Sequence, residues 1–506
     1  MVGDNPTSST TRKGSARHRK AKARLSGRQK VARGSIVLGL VIVLLAGSVT
    51  YYFFHLYGQI HKLNVGNLTV NTDSSQPINI LLVGSNSRQV LSASEAKYFG
   101  SGAQVGGARS DVTMIAHLDP KTGQVSILSI PRDLFVPIPG KHIANRVDDA
   151  LNVSPSQLVN TVEQDLGIPI QHFVELNFDT FQKVVQSLGG LKMYFPMPVK
   201  DAYSGLNITT PGCILLNGFQ ALEVVRARHL YYEKNGVWIE DPLGDLSRIR
   251  RDHEFLKVLA DQVKQKGISN PFTLTSIISS IVPYLQVDSG FTLSNMIGIA
   301  SKFRHANPNT VATSTLPISL VNNFTYQGAS YGDVVFPTEP QDSQLISQAL
   351  GINFNEPASA KAVPVAVLNG SGIAGQAAQV SATLQQDGFK IAKIGNATVQ
   401  STPSETIIRY EPGYISTAIA LRSTMSGSVI MGQAPTLSGA KVEVVTGNQL
   451  TVVNTVQTTQ TTTAQTGSAG SSSSSSVATP TTIPITVPST LSHTPLQPWD
   501  PRACPA

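Results

Sequence analysis

The sequence predicts an α/β protein: a mixed central sheet flanked by helices, a small α/β domain behind it, and a single N-terminal transmembrane helix. Three observations carry this. Apolar runs of strand length, such as INILLV (Ile78–Val83) and VTMIAHL (Val112–Leu118), alternate with stretches of helical spacing, such as Ser154–Leu166. A second strand, glycine turn, helix and strand recur within residues 363–446. Residues 34–54 carry no charge.

The front of the chain sets topology. Residues 1–33 are a basic tail in which ten Lys and Arg face one acid, Asp4, and this accounts for the whole formal net charge of +8. The rest of the chain is close to neutral, so no nucleic-acid partner is expected. The uncharged run 34–54 has the length that crosses a bilayer, with Arg33 before it and Tyr51, Tyr52, Phe53 and Phe54 as an interfacial belt at its far end. By the positive-inside rule the tail is cytoplasmic and everything after His55 lies outside, in a single-pass cell-membrane protein. Residues 55–74 are a juxtamembrane linker.

The main domain is expected over 75–350. Ile78–Val83 ends in the polar loop Gly84-Ser85-Asn86-Ser87-Arg88, the place where α/β folds present ligand groups. Val112–Leu118 and Gln124–Ile130 form a hairpin about Asp119-Pro120-Lys121-Thr122-Gly123. Helices over Ser154–Leu166 and Phe178–Leu188 enclose a strand at His172–Phe178, and Leu191–Val199 alternates as an edge strand. Helices over Thr273–Leu285 and Leu293–Phe303 and a strand near Val311–Ile318 follow.

Residues 351–362 are a linker to the small domain, 363–446. There Gly370-x-Gly372-x-x-Gly375 matches the dinucleotide fingerprint by letter, but the strand KIAKI ends without an acid to hold a ribose hydroxyl. The glycines read as a tight strand-to-helix turn. No charge occurs between Glu443 and Asp500, and Thr, Ser and Pro dominate, so 447–506 is expected to be a disordered tail. Cys213 and Cys504 are the two cysteines; they exclude a disulfide framework, and pairing between them in an oxidising space stays open.

Residues 226–255 concentrate Arg226, Arg228, Arg248, Arg250 and Arg251 with Asp241 and Asp245, in a chain that is only 14% charged. Asp245 or Ser247 is expected to cap a helix whose core face is Ile249, Leu256, Leu259 and Val263, with Arg248 and Arg251 on a neighbouring face. Guanidinium forks beside a helix N-terminus make an anion site, and phosphate is its natural guest. The plainer alternative is a solvated face laced by pairs such as Arg248 with Asp252. Arg88, Arg109 with Asp111, and Arg132 with Asp133 stand at strand ends and favour the anion site.

The segments NILLVGSNSR, RSDVTMIAHLDPKTGQVSILSIPRDLFVPIPG, Gly167–Gly190, LLNGFQALEVVRARH and DPLGDLSRIRRDHEF resemble the LytR-CpsA-Psr family of cell-wall glycopolymer ligases. Residues 363–446 look like the small C-terminal domain of actinobacterial members. The resemblance implies phosphotransfer: a glycan on a polyprenyl pyrophosphate passes to peptidoglycan, commonly at the muramic acid 6-hydroxyl, with pyrophosphatase side activity. It implies that Arg88, Arg132, Arg226, Arg228 and Arg248 grip the pyrophosphate, with Arg109 and Arg251 as further substrate contacts. Asp111 would hold Mg²⁺ (or Mn²⁺), with Asn86 and Asp245 beside it. The sequence departs from the family pattern where Asn86 replaces an aspartate and Asp252-His253 replaces Gln-Gln. A non-catalytic wall-binding or scaffolding protein on the same fold is the alternative. Arabinogalactan is the expected glycan.

Overall fold

A computed structural model of the chain describes residues 58–87, 107–139, 144–352, 358–398, 403–452 and 495–505, apart from isolated positions within these ranges. The span expected at 34–54 lies outside them, and no helix among the described residues is long and apolar enough to cross a membrane. The strands of the main sheet are β1 (His61–Leu63), β2 (Ile78–Ser85), β3 (Ser110–Leu118), β4 (Val125–Ile130), β5 (His172–Leu176), β6 (Gln286–Asp288) and β7 (Ala312–Thr315). They form a seven-stranded mixed sheet in the order β1-β6-β5-β2-β3-β4-β7. β2 runs parallel to β5 and antiparallel to β3, so the expected hairpin is present with Thr113 opposite Ile130.

Side chains that alternate along these strands serve two purposes. Leu81, Val83, Ile115, Leu128 and Phe173 point into a close-packed core completed by α1 (Pro155–Leu166). That helix starts where Ser154 accepts the N–H of Gln157 and ends at Gly167, whose φ of 71° suits a residue without Cβ. On the opposite face Leu82, Met114, Val174 and Leu176 look toward α2 (Phe178–Ser187), α3 (Gly218–Arg226) and α4 (Asp245–Gln265), and line a cavity there. A sheet covered on both faces needs apolar residues at consecutive positions, which is why INILLV shows no alternation.

The helix expected over Thr273–Leu285 stops at Ile281 and continues as a short 3-10 turn containing Pro283. Helix α4 begins at Asp245 behind Gly244, with neither Asp245 nor Ser247 acting as a side-chain cap. Ser247 instead donates to Asp241 Oδ1 at 2.6 Å.

The small domain contributes strands to an eight-stranded sheet that also contains the hairpin Ile318–Tyr326 and Ala329–Glu339. The hairpin precedes the expected linker, yet it pairs through Thr338 and Glu339 with Ser428 and Gly427. Buried Arg422 fastens the two parts: it lies 2.8 Å from Glu339 and donates to the carbonyl of Asp165 at 2.6 Å.

The end of the tail departs from the expected disorder. Residues 495–505 pack on the main domain, with Arg502 and Tyr194 exchanging backbone hydrogen bonds and Trp499 stacked on Tyr232 at 4.1 Å. Cys504 is bonded to Cys213, 291 residues earlier. Closing a loop of that length removes at most about 6 kcal/mol of unfolded-chain entropy. The low-complexity composition of the tail concealed one apolar ring, one carboxylate and one thiol with specific partners.

Candidate active site

The cavity between the sheet and α2, α3 and α4 holds about 180 Å³ and opens to solvent at its mouth. Its wall is apolar, with Leu82, Val174, Phe178, Phe181, Phe255 and Leu256 among the lining groups. Its polar groups are few: Ser85, Asp111, Asn177, Arg226, Arg248 and Asp252. An apolar chamber with cations at one end suits an amphiphile with an anionic head.

The cationic end is built by four strand and helix termini. Arg132, just after β4, donates to Asp111 Oδ1 at 2.8 Å and lies 3.5 Å from Asp133. Arg228, just after α3, sits 2.8 Å from Asp245 Oδ1. Arg248, in the first turns of α4, donates to the carbonyl of Asp111 at 2.7 Å and to Asp245 Oδ2 at 3.2 Å. Asp245 thus gathers Arg228 and Arg248, and Arg132 lies 4.0 Å from it. Burial opposes the charge of Arg132, but the carboxylates of Asp133, Asp111, Asp245 and Asp148 outweigh it and hold its pKa above the usual value. Arg228 is lowered, because burial and the like charges of Arg132 and Arg248 exceed the pull of Asp245. An arriving phosphate is favoured here, since it relieves that repulsion.

Arg226 lines the cavity with its guanidinium 4.5 Å from the Phe178 ring centre. Arg109 is exposed; its charge bears on Asp148, whose carboxyl is pushed up to about 6 chiefly by burial. Arg88 lies outside the described residues. Arg251, expected beside Arg248 as a substrate contact, belongs to a separate closed cluster. It is 1% exposed, donates to Asp241 Oδ2 at 2.9 Å and to the carbonyl of Ala227 at 2.6 Å, and has no part in the cavity wall. The reason is geometric: three residues on a helix turn a side chain about 60° away from its partner's face, enough here to cross from cavity to core. Asp252, four residues after Arg248, is the cavity residue that sequence reasoning placed only in a surface pair; its i+4 spacing from Arg248 and its neighbour Phe255 carried the signal.

The matched domains agree with this geometry. The model of the LytR_cpsA_psr family covers residues 55–339, and a second model, LytR cell envelope-related transcriptional attenuator, covers 362–449. The chain belongs to the LytR-CpsA-Psr family. It is 32% identical over 281 residues to a probable cell wall biosynthesis protein, LcpB of Corynebacterium glutamicum, a match that spans 55% of this chain and 63% of that one. It is 27% identical to TagU of Bacillus subtilis, a polyisoprenyl-teichoic acid–peptidoglycan teichoic acid transferase, over 53% of this chain and 80% of that one. Among solved structures, a LytR-Csp2A-Psr enzyme from Actinomyces oris aligns with a TM-score of 0.45 at 23% identity, over 57% of this chain and 96% of the other.

For this member of the family, the donor set speaks against a ready-made Mg²⁺ site. Asp111 Oδ1 is bound to Arg132, both oxygens of Asp245 face arginines, and Asn86 Oδ1 accepts the backbone N–H of Arg109 at 2.9 Å. Among the described residues no three His, Cys, Asp or Glu side chains are grouped to hold a metal ion. A hard dication needs about six oxygen ligands, and these carboxylates are already neutralised by guanidinium groups. The described residues do not fit a resident cation.

Proposed function

We propose that the chain is a phosphotransferase that moves a glycopolymer from a polyprenyl pyrophosphate carrier to peptidoglycan. The observation that carries this is the apolar cavity ending at Arg226, Arg248 and Asp111, with Arg132 and Arg228 linked to the same carboxylates. The prenyl chain occupies the apolar part, and the pyrophosphate meets the arginines. An acceptor hydroxyl, proposed as the muramic acid 6-hydroxyl, attacks the phosphorus that bears the glycan. A new P–O bond forms, the bond to the bridging oxygen breaks, polyprenyl phosphate leaves, and the hydroxyl proton passes to solvent. Guanidinium groups stabilise the charge that develops on the phosphoryl oxygens. Water in place of the sugar hydroxyl gives the pyrophosphatase side activity.

Anchoring through 34–54, with the main domains outside, brings this site to its lipid carrier, and the Cys213–Cys504 disulfide suits an oxidising compartment. The names of the relatives support a cell-wall polymer as cargo, and we propose arabinogalactan. The full chain in lipid vesicles, given lipid-linked glycans and peptidoglycan, is expected to form phosphate-linked glycan on the peptidoglycan. Binding of peptidoglycan without turnover of any lipid-linked donor would replace this reading by the wall-binding scaffold.

A further inference from the structure

One carboxyl of the cavity differs from every other acid at the site. Asp252 is 4% exposed, and neither of its oxygens accepts a hydrogen bond among the described residues. Its nearest cation, Arg248 Nε, stands off at 3.9 Å. Asp111, Asp133 and Asp245 each face an arginine at 3.5 Å or less, whereas Asp252 faces the cavity with Arg226 and Phe255. An ionised carboxylate in that position would be buried without hydrogen bonds, which is costly. Burial pushes the group up to about 7; Arg248 and Arg251 on its own helix pull it down, and Asp245 on the same helix pushes it further up. The other walls of the cavity carry Arg226 of α3 and Asp111 of β3. The adjacent His253 is turned away, bonded to Ser129 Oγ at 2.7 Å.

A neutral carboxyl bears a proton, and a buried proton donor seeks an acceptor. Among the described residues none is hydrogen-bonded to Asp252. We propose that Asp252 donates a hydrogen bond through its protonated carboxyl to a phosphate oxygen of the bound prenyl pyrophosphate, and so makes donor binding dependent on pH. This rests on the donor class proposed above. The ionised form would repel the same phosphate, so proton and ligand bind together. Linkage fixes the sign: affinity is greatest where Asp252 is protonated and falls as pH rises through about 7.

The test uses farnesyl pyrophosphate as probe, titrated calorimetrically into the full chain in detergent at pH 6 and pH 8.5. The probe's own phosphate titrates in this range, so the comparison is between variants. Wild type is expected to lose about tenfold more affinity than Asp252→Gln between the two pH values, because the amide of Gln donates at every pH. Near pH 7.5, in buffers of different ionisation enthalpy, wild type should take up a proton on binding that Asp252→Gln and the isosteric Asp252→Asn do not. Identical pH dependence and identical proton uptake in wild type and both variants would overturn the proposal while leaving the donor class intact. Absence of probe binding at both pH values, in every form, would overturn the donor class and the proposal with it.

Discussion

Two arginine clusters leave the same first turns of α4, and they have opposite fates. Arg248 faces the cavity, where with Arg132 and Arg228 it shares carboxylates across the ends of β3, β4 and α3. Arg250 and Arg251 face the other way. Arg250 donates to Asp500 at 2.6 Å and lies 3.3 Å from Asp241, Arg251 also binds Asp241, and Asp500 is 0% exposed. Trp499 closes this cluster by donating to Asp241 Oδ2 at 3.1 Å. Two arginines and two aspartates, nearly inaccessible to water, form a neutral set. In the open cluster Arg248 borders a cavity, and the pKa of Arg228 is lowered by burial and by the charges of Arg132 and Arg248. Arginine density therefore marks a site only where the pairing is incomplete and the space in front is free. Burial of a completed pair contributes little net stability relative to an apolar pair of similar volume.

The largest expected effect comes from breaking the closed cluster. Asp500→Ala leaves Arg250 buried without its main partner and should destabilise the full chain by about 3 to 5 kcal/mol in urea unfolding. If stability changes by less than about 1 kcal/mol, the tail is not part of the fold in solution. The open cluster should behave in the reverse way. Arg228→Ala and Arg132→Ala should each remove about 2 to 4 kcal/mol of transition-state stabilisation, two to three decades in rate, with near wild-type melting. Wild-type turnover in either folded variant would take that arginine out of the mechanism.

A smaller effect sharpens the contrast. Replacing both charges, Arg250→Met with Asp500→Leu, should recover to within about 2 kcal/mol of wild type, since an apolar pair of similar volume substitutes for a sealed ion pair. A double variant as unstable as Asp500→Ala alone would show that specific hydrogen bonds, not charge balance, hold the tail. The same rearrangement is not available to Asp252, which among the described residues accepts no hydrogen bond and has Arg248 only at 3.9 Å. Its raised pKa contributes stability that is fully present below about pH 3.8 and is lost as pH rises through about 7. Asp252→Asn should accordingly be the more stable form at pH 8.5 and equal to wild type near pH 4, as read by chemical denaturation.

The smallest effect concerns the cation. With Asp111 and Asp245 already paired, Mg²⁺ titrated into the chain without donor should bind only weakly, with Kd above about 1 mM. Asn86→Asp should tighten that binding. Strong Mg²⁺ binding to the unmodified chain would mean that the carboxylates of the open cluster release their arginines more readily than the geometry implies.

Five strands of the main sheet (β2, β3, β4, β5 and β7), its hairpin, helix α1 and the helix at Leu293–Phe303 were legible because each depends on local signals: apolar runs of strand length, turn residues, caps and helical spacing. The three-residue strands β1 and β6 were too short to leave such a signal. Arg132, Arg228 and Arg248 were legible as a group because residue type and position at element ends limit what such groups can do. The sequence could not say which face of α4 each arginine takes, because 60° of helical rotation separates cavity from core at Arg248 and Arg251. Nor could composition reveal that the hairpin 318–339 crosses into the second sheet, or that Trp499, Asp500 and Cys504 at the end of a polar tail return to Tyr232, Arg250 and Cys213. Those outcomes depend on partners hundreds of residues away, and a pairing at that distance leaves no periodicity in either segment. Local propensity thus determined the elements and the chemistry available at their ends, while long-range charge pairing and burial decided which arginines remain open to a ligand.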